Sequence, residues 1–171
     1  MPPTYRLAEA DTPAQFEAAR ALIEEYAAQI RSSMGVDLCF QNLNSELAHL
    51  PDMYGPPTGC LLLAGSDGEW LGCCALRRFA DGVCEMKRLY IRPAARGAQL
   101  GRRLVEHLLP KACALGYRRM VLDTLKEMTA ARTLYASLGF RQIEPYYLNP
   151  TAGVTYMELD LGTARHTAPS L

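Results

Sequence analysis

No Cys-x-x-Cys pair occurs in the 171 residues, although six cysteines are present. Cys39, Cys60, Cys73, Cys74, Cys84 and Cys113 sit mostly within apolar runs. They read as small buried hydrophobes of a reducing, cytoplasmic compartment, not as disulfide partners or a zinc cluster. His49, His107 and His166 lie far apart, which leaves no metal-ligand spacing, and no metal is expected. No apolar run approaches the roughly 18 residues of a membrane span, so no membrane partner is expected. The start, Met1-Pro2-Pro3-Thr4-Tyr5-Arg6, has no apolar stretch behind a basic beginning, and a signal peptide is not expected. Charge of one sign is missing too. Eighteen basic residues balance eighteen acidic ones, so global electrostatics predict no nucleic-acid partner.

What is present suits one domain. Apolar residues make up 49% of the chain and charged residues 21%, ordinary proportions for a full hydrophobic core. A single domain is expected over residues 1–162, with a disordered tail over 163–171. Tyr5-Arg6-Leu7-Ala8 reads as a first strand. Thr12, Pro13 and Gln15 then carry a helix start: an N-cap, a proline in the first turn and a capping box. Phe16, Ala19, Ile23, Tyr26, Ala27 and Ile30 recur at helical spacing behind it. A second helix is expected over residues 38–50. Pro51 ends it, and residues 51–57 are expected to lack regular structure.

Three strands follow, at residues 60–64, 70–78 and 83–91. Turns at Ser66-Asp67-Gly68-Glu69 and Phe79-Ala80-Asp81-Gly82 separate them, which predicts an antiparallel meander. Residues 100–115 form an amphipathic helix capped by Gly116, with Pro110 expected to kink it near Glu106. A strand at 118–124, a helix at 126–138 stopped by Gly139, and strands at 140–143 and 154–161 complete the chain. The strand at 118–124 should lie parallel to the last strand of the meander. The predicted class is α+β: a mixed, mostly antiparallel twisted sheet of about six to seven strands with helices on both faces.

The most informative stretch is Leu89-Tyr90-Ile91-Arg92-Pro93-Ala94-Ala95-Arg96-Gly97-Ala98-Gln99-Leu100-Gly101-Arg102-Arg103-Leu104. A strand ends, a loop carries two glycines and a long helix begins. Free N–H groups and a partial positive charge at a helix N-terminus bind anions, and a pyrophosphate fits. Arg96, Arg102 and Arg103 add charge beside it. The glycine spacing is G-x-x-x-G, which matches neither the dinucleotide fingerprint nor the P-loop. Read blandly, the glycines only turn the chain.

This stretch resembles the GNAT superfamily of N-acetyltransferases, whose coenzyme motif is [Q/R]-x-x-G-x-[G/A] between a strand and a helix. Arg96, Leu100 and Gly101 match it, with Gln99 at the usual middle glycine. A backbone contact there requires Gln99 to take an ordinary helical conformation with its side chain turned away. Ala131-Arg132-Thr133-Leu134-Tyr135-Ala136-Ser137-Leu138-Gly139-Phe140 resembles the family's A-x-x-L-Y-x-x-x-G-F. Met128 stands where the family often has asparagine, which removes one polar contact. The resemblance covers roughly residues 70–140. It implies acetyl-CoA as co-substrate, held by Leu89, Tyr90, Ile91, Arg96, Gly97, Ala98, Gln99, Leu100, Gly101 and Arg102. The strand end at Leu89 to Ile91 would pair by its backbone with the pantetheine arm, and the Leu89 N–H would polarise the thioester carbonyl.

The resemblance further implies direct attack of a small-molecule or amino-acid amine on the thioester. Glu85 is the candidate general base, with an ion pair to a cross-strand cation such as Arg77, or an anchor for the substrate ammonium, as the alternatives. By simple alternation Glu85, Lys87, Leu89 and Ile91 share a face unless a bulge intervenes. Tyr135 is the candidate general acid, or else a core tyrosine on the stripe of its helix. On the acceptor side Tyr54 and Tyr146 are candidates by position, with Tyr147 and Asn149 beside them. A non-catalytic acyl-CoA-binding regulatory module and a protein or peptide amine acetyltransferase are the alternative functions. The sequence leaves a homodimer open.

Overall fold

Thr12 begins the first helix as predicted. Its hydroxyl accepts from the Gln15 N–H at 3.3 Å while the Gln15 side chain accepts from the Thr12 N–H at 3.1 Å. In the computed structural model, which describes residues 4–38 and 42–163, the chain runs β1 (Arg6–Glu9), α1 (Pro13–Met34), α2 (Leu43–Ala48), α3 (Leu50–Tyr54), β2 (Cys60–Ser66), β3 (Glu69–Ala80), β4 (Val83–Ile91), α4 (Leu100–Ala114), β5 (Arg119–Leu125), α5 (Thr129–Ser137), β6 (Arg141–Ile143) and β7 (Val154–Asp160). Cys39, His166 and the expected tail beyond Thr163 lie outside the described residues.

The seven strands form one sheet in the order β1-β2-β3-β4-β5-β7-β6. All neighbours are antiparallel except β4 and β5, which run parallel. The predicted class and the single parallel pair are both found. One expectation fails. Pro51 does not end a helix but stands in the first turn of α3, where its missing N–H has no intrahelical partner to lose. The helix expected over residues 38–50 is accordingly only the short α2, and α3 carries regular structure through Tyr54, into the 51–57 stretch expected to lack it. Pro110 lies inside α4, which continues through it.

Alternation along the strands divides the core into two layers. Leu62, Ala64, Cys74, Leu76 and Met86 pack with α4 and Tyr135 on one face of the sheet. Leu61, Leu63, Cys73, Ala75 and Tyr90 pack with α1, α2 and α3 on the other. Cys73 and Cys74, adjacent in sequence, therefore face opposite layers. Both thiols are buried, and burial pushes Cys73 up to about 12.

The feature that positions the site is a bulge in β4. Tyr90 pairs with Cys73 and Lys87 with Ala75, so β4 carries one residue more than β3 across this step. Arg88 takes the left-handed conformation there, at φ 60°. The extra residue reverses the alternation. Lys87 stays on the face of Glu85, while Leu89 and Ile91 pass to the α4 layer, and the four do not share a face.

Arg88 is held by Glu46 of α2 through two hydrogen bonds of 2.8 Å, and the Tyr54 hydroxyl donates to the same carboxylate at 2.8 Å. All three side chains are buried. Burial alone would raise the Glu46 carboxyl, but Arg88's hydrogen bonds and charge hold it below its ordinary value of 4.5. Its contribution to stability is thus complete above that value and is lost as pH falls through the native one. Glu46→Gln leaves the Arg88 charge buried without its counterion and should cost about 3–5 kcal/mol, read by urea unfolding at pH 7. A loss below about 1 kcal/mol, the scale of a neutral hydrogen bond, would show that the pair does not secure the bulge.

Candidate active site

Beyond the bulge the sheet opens. β4 and β5 pair only at Val83–Arg119, Cys84–Met120 and Glu85–Val121. β5 then continues along β7 and β4 along β3, so among the described residues no strand covers the β5-facing edge of β4 from Lys87 onward. Two spaces with shared walls occupy the gap. An outer groove of about 410 Å³ runs between α1, the end of β4, the start of α4 and the start of α5. An inner cavity of about 60 Å³ lies deeper, between β4 and β5. Tyr26, Ile30, Leu89 and Met128 line both.

Leu89, Tyr90, Ile91, Arg96 and Gly101 all line the outer groove. Gly97, Ala98 and Gln99 form the loop that turns into α4, and the Leu100 side chain is core. The first helical hydrogen bond of α4 runs from the Arg103 N–H to the Gln99 carbonyl at 3.0 Å. The N–H groups of Leu100, Gly101 and Arg102 therefore lack helical acceptors. The Gln99 side chain does not cap them. This end of α4 is an uncapped donor cluster suited to an anion.

Gln99 departs from expectation. It lies at φ 60°, ψ 16°, in the left-handed region and not in a helical one. A glycine there would avoid the contact between Cβ and carbonyl that costs an L-residue about 1–2 kcal/mol, which accounts physically for the family's usual residue. Gly101 differs. A Cβ built on it meets nothing closer than 3.7 Å, at Leu134. Protein packing does not demand a glycine there, so its smallness serves the groove.

The remaining basic residues are placed unequally. Arg96 donates to the Ile91 carbonyl at 3.1 Å and to Gln29 of α1 at 2.8 Å, bridging the groove's rim. Arg102 lies outside the lining; it pairs with Glu106 at 3.3 Å and donates to Ser137. Arg103 points toward β1, with the Tyr5 carbonyl at 3.4 Å.

Tyr135 lines the inner cavity. Its ring packs on Phe140 at 5.7 Å, and burial pushes its hydroxyl well above the ordinary phenol. That hydroxyl has no hydrogen-bond partner among the described residues, which suits a donor waiting for a ligand.

Glu85 is buried and fully engaged. Its Oε1 accepts from Arg77 at 3.0 Å, with Lys87 Nζ at 3.9 Å, and its Oε2 accepts from the Tyr146 hydroxyl at 2.8 Å. Glu85 and Tyr146 thus form one unit, which does not line the inner cavity. Burial and then the Glu85 charge push Tyr146 up. Tyr54, a candidate for acceptor contact, is wholly buried on Glu46. As the anchor of the bulge it has no surface to offer an acceptor.

Sequence reasoning missed Lys87, Arg88 and Asp123 as lining of the inner cavity. The Asp123 Oδ2 accepts from the Tyr147 hydroxyl at 2.7 Å and from Asn149 Nδ2 at 3.0 Å. Burial lowers the Lys87 ammonium, as does the neighbouring Arg88 charge. The adjacent pair Lys87-Arg88 in a strand was the available signal for the bulge. The lone charge of the apolar run Met120-Val121-Leu122-Asp123-Thr124-Leu125 was the signal for Asp123.

A parallel pair splayed beside an uncapped, glycine-bearing helix start defines this protein as an acetyl-CoA-dependent acyltransferase once its relatives are considered. The chain belongs to the acetyltransferase (GNAT) family, whose model matches residues 18–140. An uncharacterized N-acetyltransferase of Schizosaccharomyces pombe is 42% identical over 162 residues, covering 94% of this chain and 97% of that one. Human N-acetylaspartate synthetase is 32% identical over 103 residues, covering 59% of this chain and 34% of that one. The fold is that of a putative acetyltransferase from Salmonella typhimurium solved with its cofactor acetyl-CoA, at TM-score 0.67, 24% identity and 98% of each chain.

Proposed function

We propose that the protein moves an acetyl group from acetyl-CoA to a primary amine of a small molecule or amino acid, by direct attack of the nitrogen on the thioester. The observation that carries this reading is a pair of spaces that share Tyr26, Ile30, Leu89 and Met128 as walls. The outer one takes in Gly101 of the α4 donor cluster and the edge of β4 at Leu89 to Ile91, and the inner one takes in Leu89 and Tyr135, whose hydroxyl has no partner among the described residues. The α4 N–H groups would hold the pyrophosphate, with Arg96 at the rim. The β4 backbone would hold the pantetheine arm. The small inner cavity supports a small acceptor, as does the relative named for making N-acetylaspartate.

Leu89 and Tyr135, which line these spaces, divide the chemistry with the Glu85–Tyr146 unit, which lies outside their lining. The Leu89 N–H polarises the thioester carbonyl and stabilises the oxyanion. Tyr135 hydrogen-bonds the departing sulfur and supplies its proton. The amine must also lose a proton, since an alkyl amine with pKa near 10 is only about 0.1% neutral at pH 7. Both oxygens of Glu85 are occupied, so we assign it a proton reached through Tyr146: the Tyr146 oxygen accepts one as its own passes to Oε2. Cys60, Cys73, Cys74 and Cys84 are buried and unbridged, and Cys113, against expectation, is exposed; free thiols fit a cytoplasmic setting.

Gly101→Arg should weaken acetyl-CoA binding at least about 100-fold in a calorimetric titration, with CoA, ATP and NAD run beside it. The fold should survive, because a Cβ fits and arginine is a better helix former than glycine. Unchanged affinity would remove the α4 terminus from the site. Tyr135→Phe should lower kcat about 100-fold with little effect on acetyl-CoA binding; an unchanged rate makes Tyr135 a core residue. Glu85→Gln and Tyr146→Phe should each lower kcat/KM about tenfold, and the double variant should be no worse than either alone, because a relay acts as one unit. Additive losses would separate the two residues.

A further inference from the structure

The inner cavity contains a carboxylate that the reaction outlined above does not use. Asp123 projects from β5 into the space shared by Tyr135 and Leu89. Its hydrogen bonds from Tyr147 and Asn149 both fall on Oδ2. Among the described residues, Oδ1 has no partner and no salt bridge involves Asp123. The other carboxylates of this layer are committed. Glu46 is filled by Arg88 and Tyr54, and Glu85 by Arg77 and Tyr146. Lys87 and Arg88 stand on the β4 side of the cavity; Glu46 is the counter-charge of Arg88, and Lys87 feels both Glu85 and, across the cavity, Asp123. They repel a cation from that wall toward β5. Tyr26 and Tyr135 complete the surroundings, and aromatic faces favour a cation.

We infer that Asp123 is the receptor for the acceptor's ammonium group. Its Oδ1 takes an N–H of the amine, while Tyr147 and Asn149 fix the carboxylate plane by holding Oδ2. This inference rests on the acetyltransferase reading and adds the polar contact that orients the nucleophile. It also explains the segment between β6 and β7. Tyr147 and Asn149 are positioning residues that act through Asp123, and the Tyr156 hydroxyl steadies them by donating to the Tyr147 carbonyl at 3.2 Å.

The decisive variant is Asp123→Asn. Its carbonyl oxygen still accepts from Tyr147 and Asn149, so the loop contacts survive while the charge is lost. The acetyl-CoA-saturated protein is assayed for thiol release with the standard α-amino acids, spermidine and phenethylamine. For the best acceptor, Asp123→Asn should lower kcat/KM roughly 10- to 150-fold, the range of a hydrogen bond to a charged group. The loss should fall mainly on the amine KM, with acetyl-CoA affinity and melting temperature unchanged. Tyr147→Phe keeps the charge and should change kcat/KM less than about fivefold. Asp123→Asn kinetics within about threefold of the parent would overturn the assignment, since a neutral hydrogen bond alone spans that much. So would an equal loss in Tyr147→Phe, which would mark a purely structural loop contact. A parent protein that binds acetyl-CoA but none of the panel amines overturns it as well. Failure to bind acetyl-CoA at all would instead overturn the acetyltransferase reading beneath it.

Discussion

The site depends on one buried ion pair. Arg88 cannot lie on the α1–α3 face of the sheet unless β4 carries an extra residue, and it does not remain there without Glu46. That pairing fixes the left-handed step in β4. The step turns Leu89 and Ile91 to the opposite layer, and with them the bare edge of the strand. A regular β4 would present Leu89 on the other face and could continue its ladder with β5, closing the gap that both cavities occupy. The cost of taking two charges out of water is offset by a bidentate contact and by Tyr54 on the same carboxylate. The short helices α2 and α3 are thereby tied to the sheet. Their role is to hold the strand open, and this is why Tyr54 is a structural residue and not an acceptor contact.

The start of α4 obeys a complementary constraint. Three backbone donors are left without helical acceptors, and no side chain caps them. A helix in an ordinary position would be capped and more stable by about 1 kcal/mol. Gln99 adds a further cost by holding a conformation that glycine would take freely. Gly101 is a poor helix former in a place where packing would admit alanine. These three departures from local stability converge on one end of one helix, the pattern expected where structure is shaped for a ligand.

Much of this was legible in the residues. The capping box at Thr12, the two hairpin turns, the amphipathic α4 and the parallel return to β5 follow from local signals that tertiary packing did not override. The two motif segments brought Arg96 and Gly101 to the outer groove and Tyr135 to the inner cavity. The rest was hidden for identifiable reasons. Pro51 carries the same local signal whether it stops a helix or starts one, and only the surrounding packing decides. The partnership of Glu46 with Arg88 spans 42 residues, and no periodicity encodes a contact of that kind. Simple alternation misassigned Leu89 because a bulge is a break in the very rule being applied. Tyr146 was placed near the acceptor by position, but its bond to Glu85, 61 residues away in sequence, had no local signal.

The cysteines carry a consequence of their own. An enzyme that handles an activated acyl thioester exposes itself to transthioesterification, in which any nearby thiolate takes the acyl group and is silenced by it. Cys73 lies on β3 beside the β4 bulge, its Sγ–H donating to the Arg88 carbonyl at 3.3 Å. Burial holds that thiol neutral throughout the physiological range, and only the thiolate is a competent nucleophile. The same dry packing that makes Cys60, Cys73, Cys74 and Cys84 good core fillers therefore shields these four from acylation by the donor.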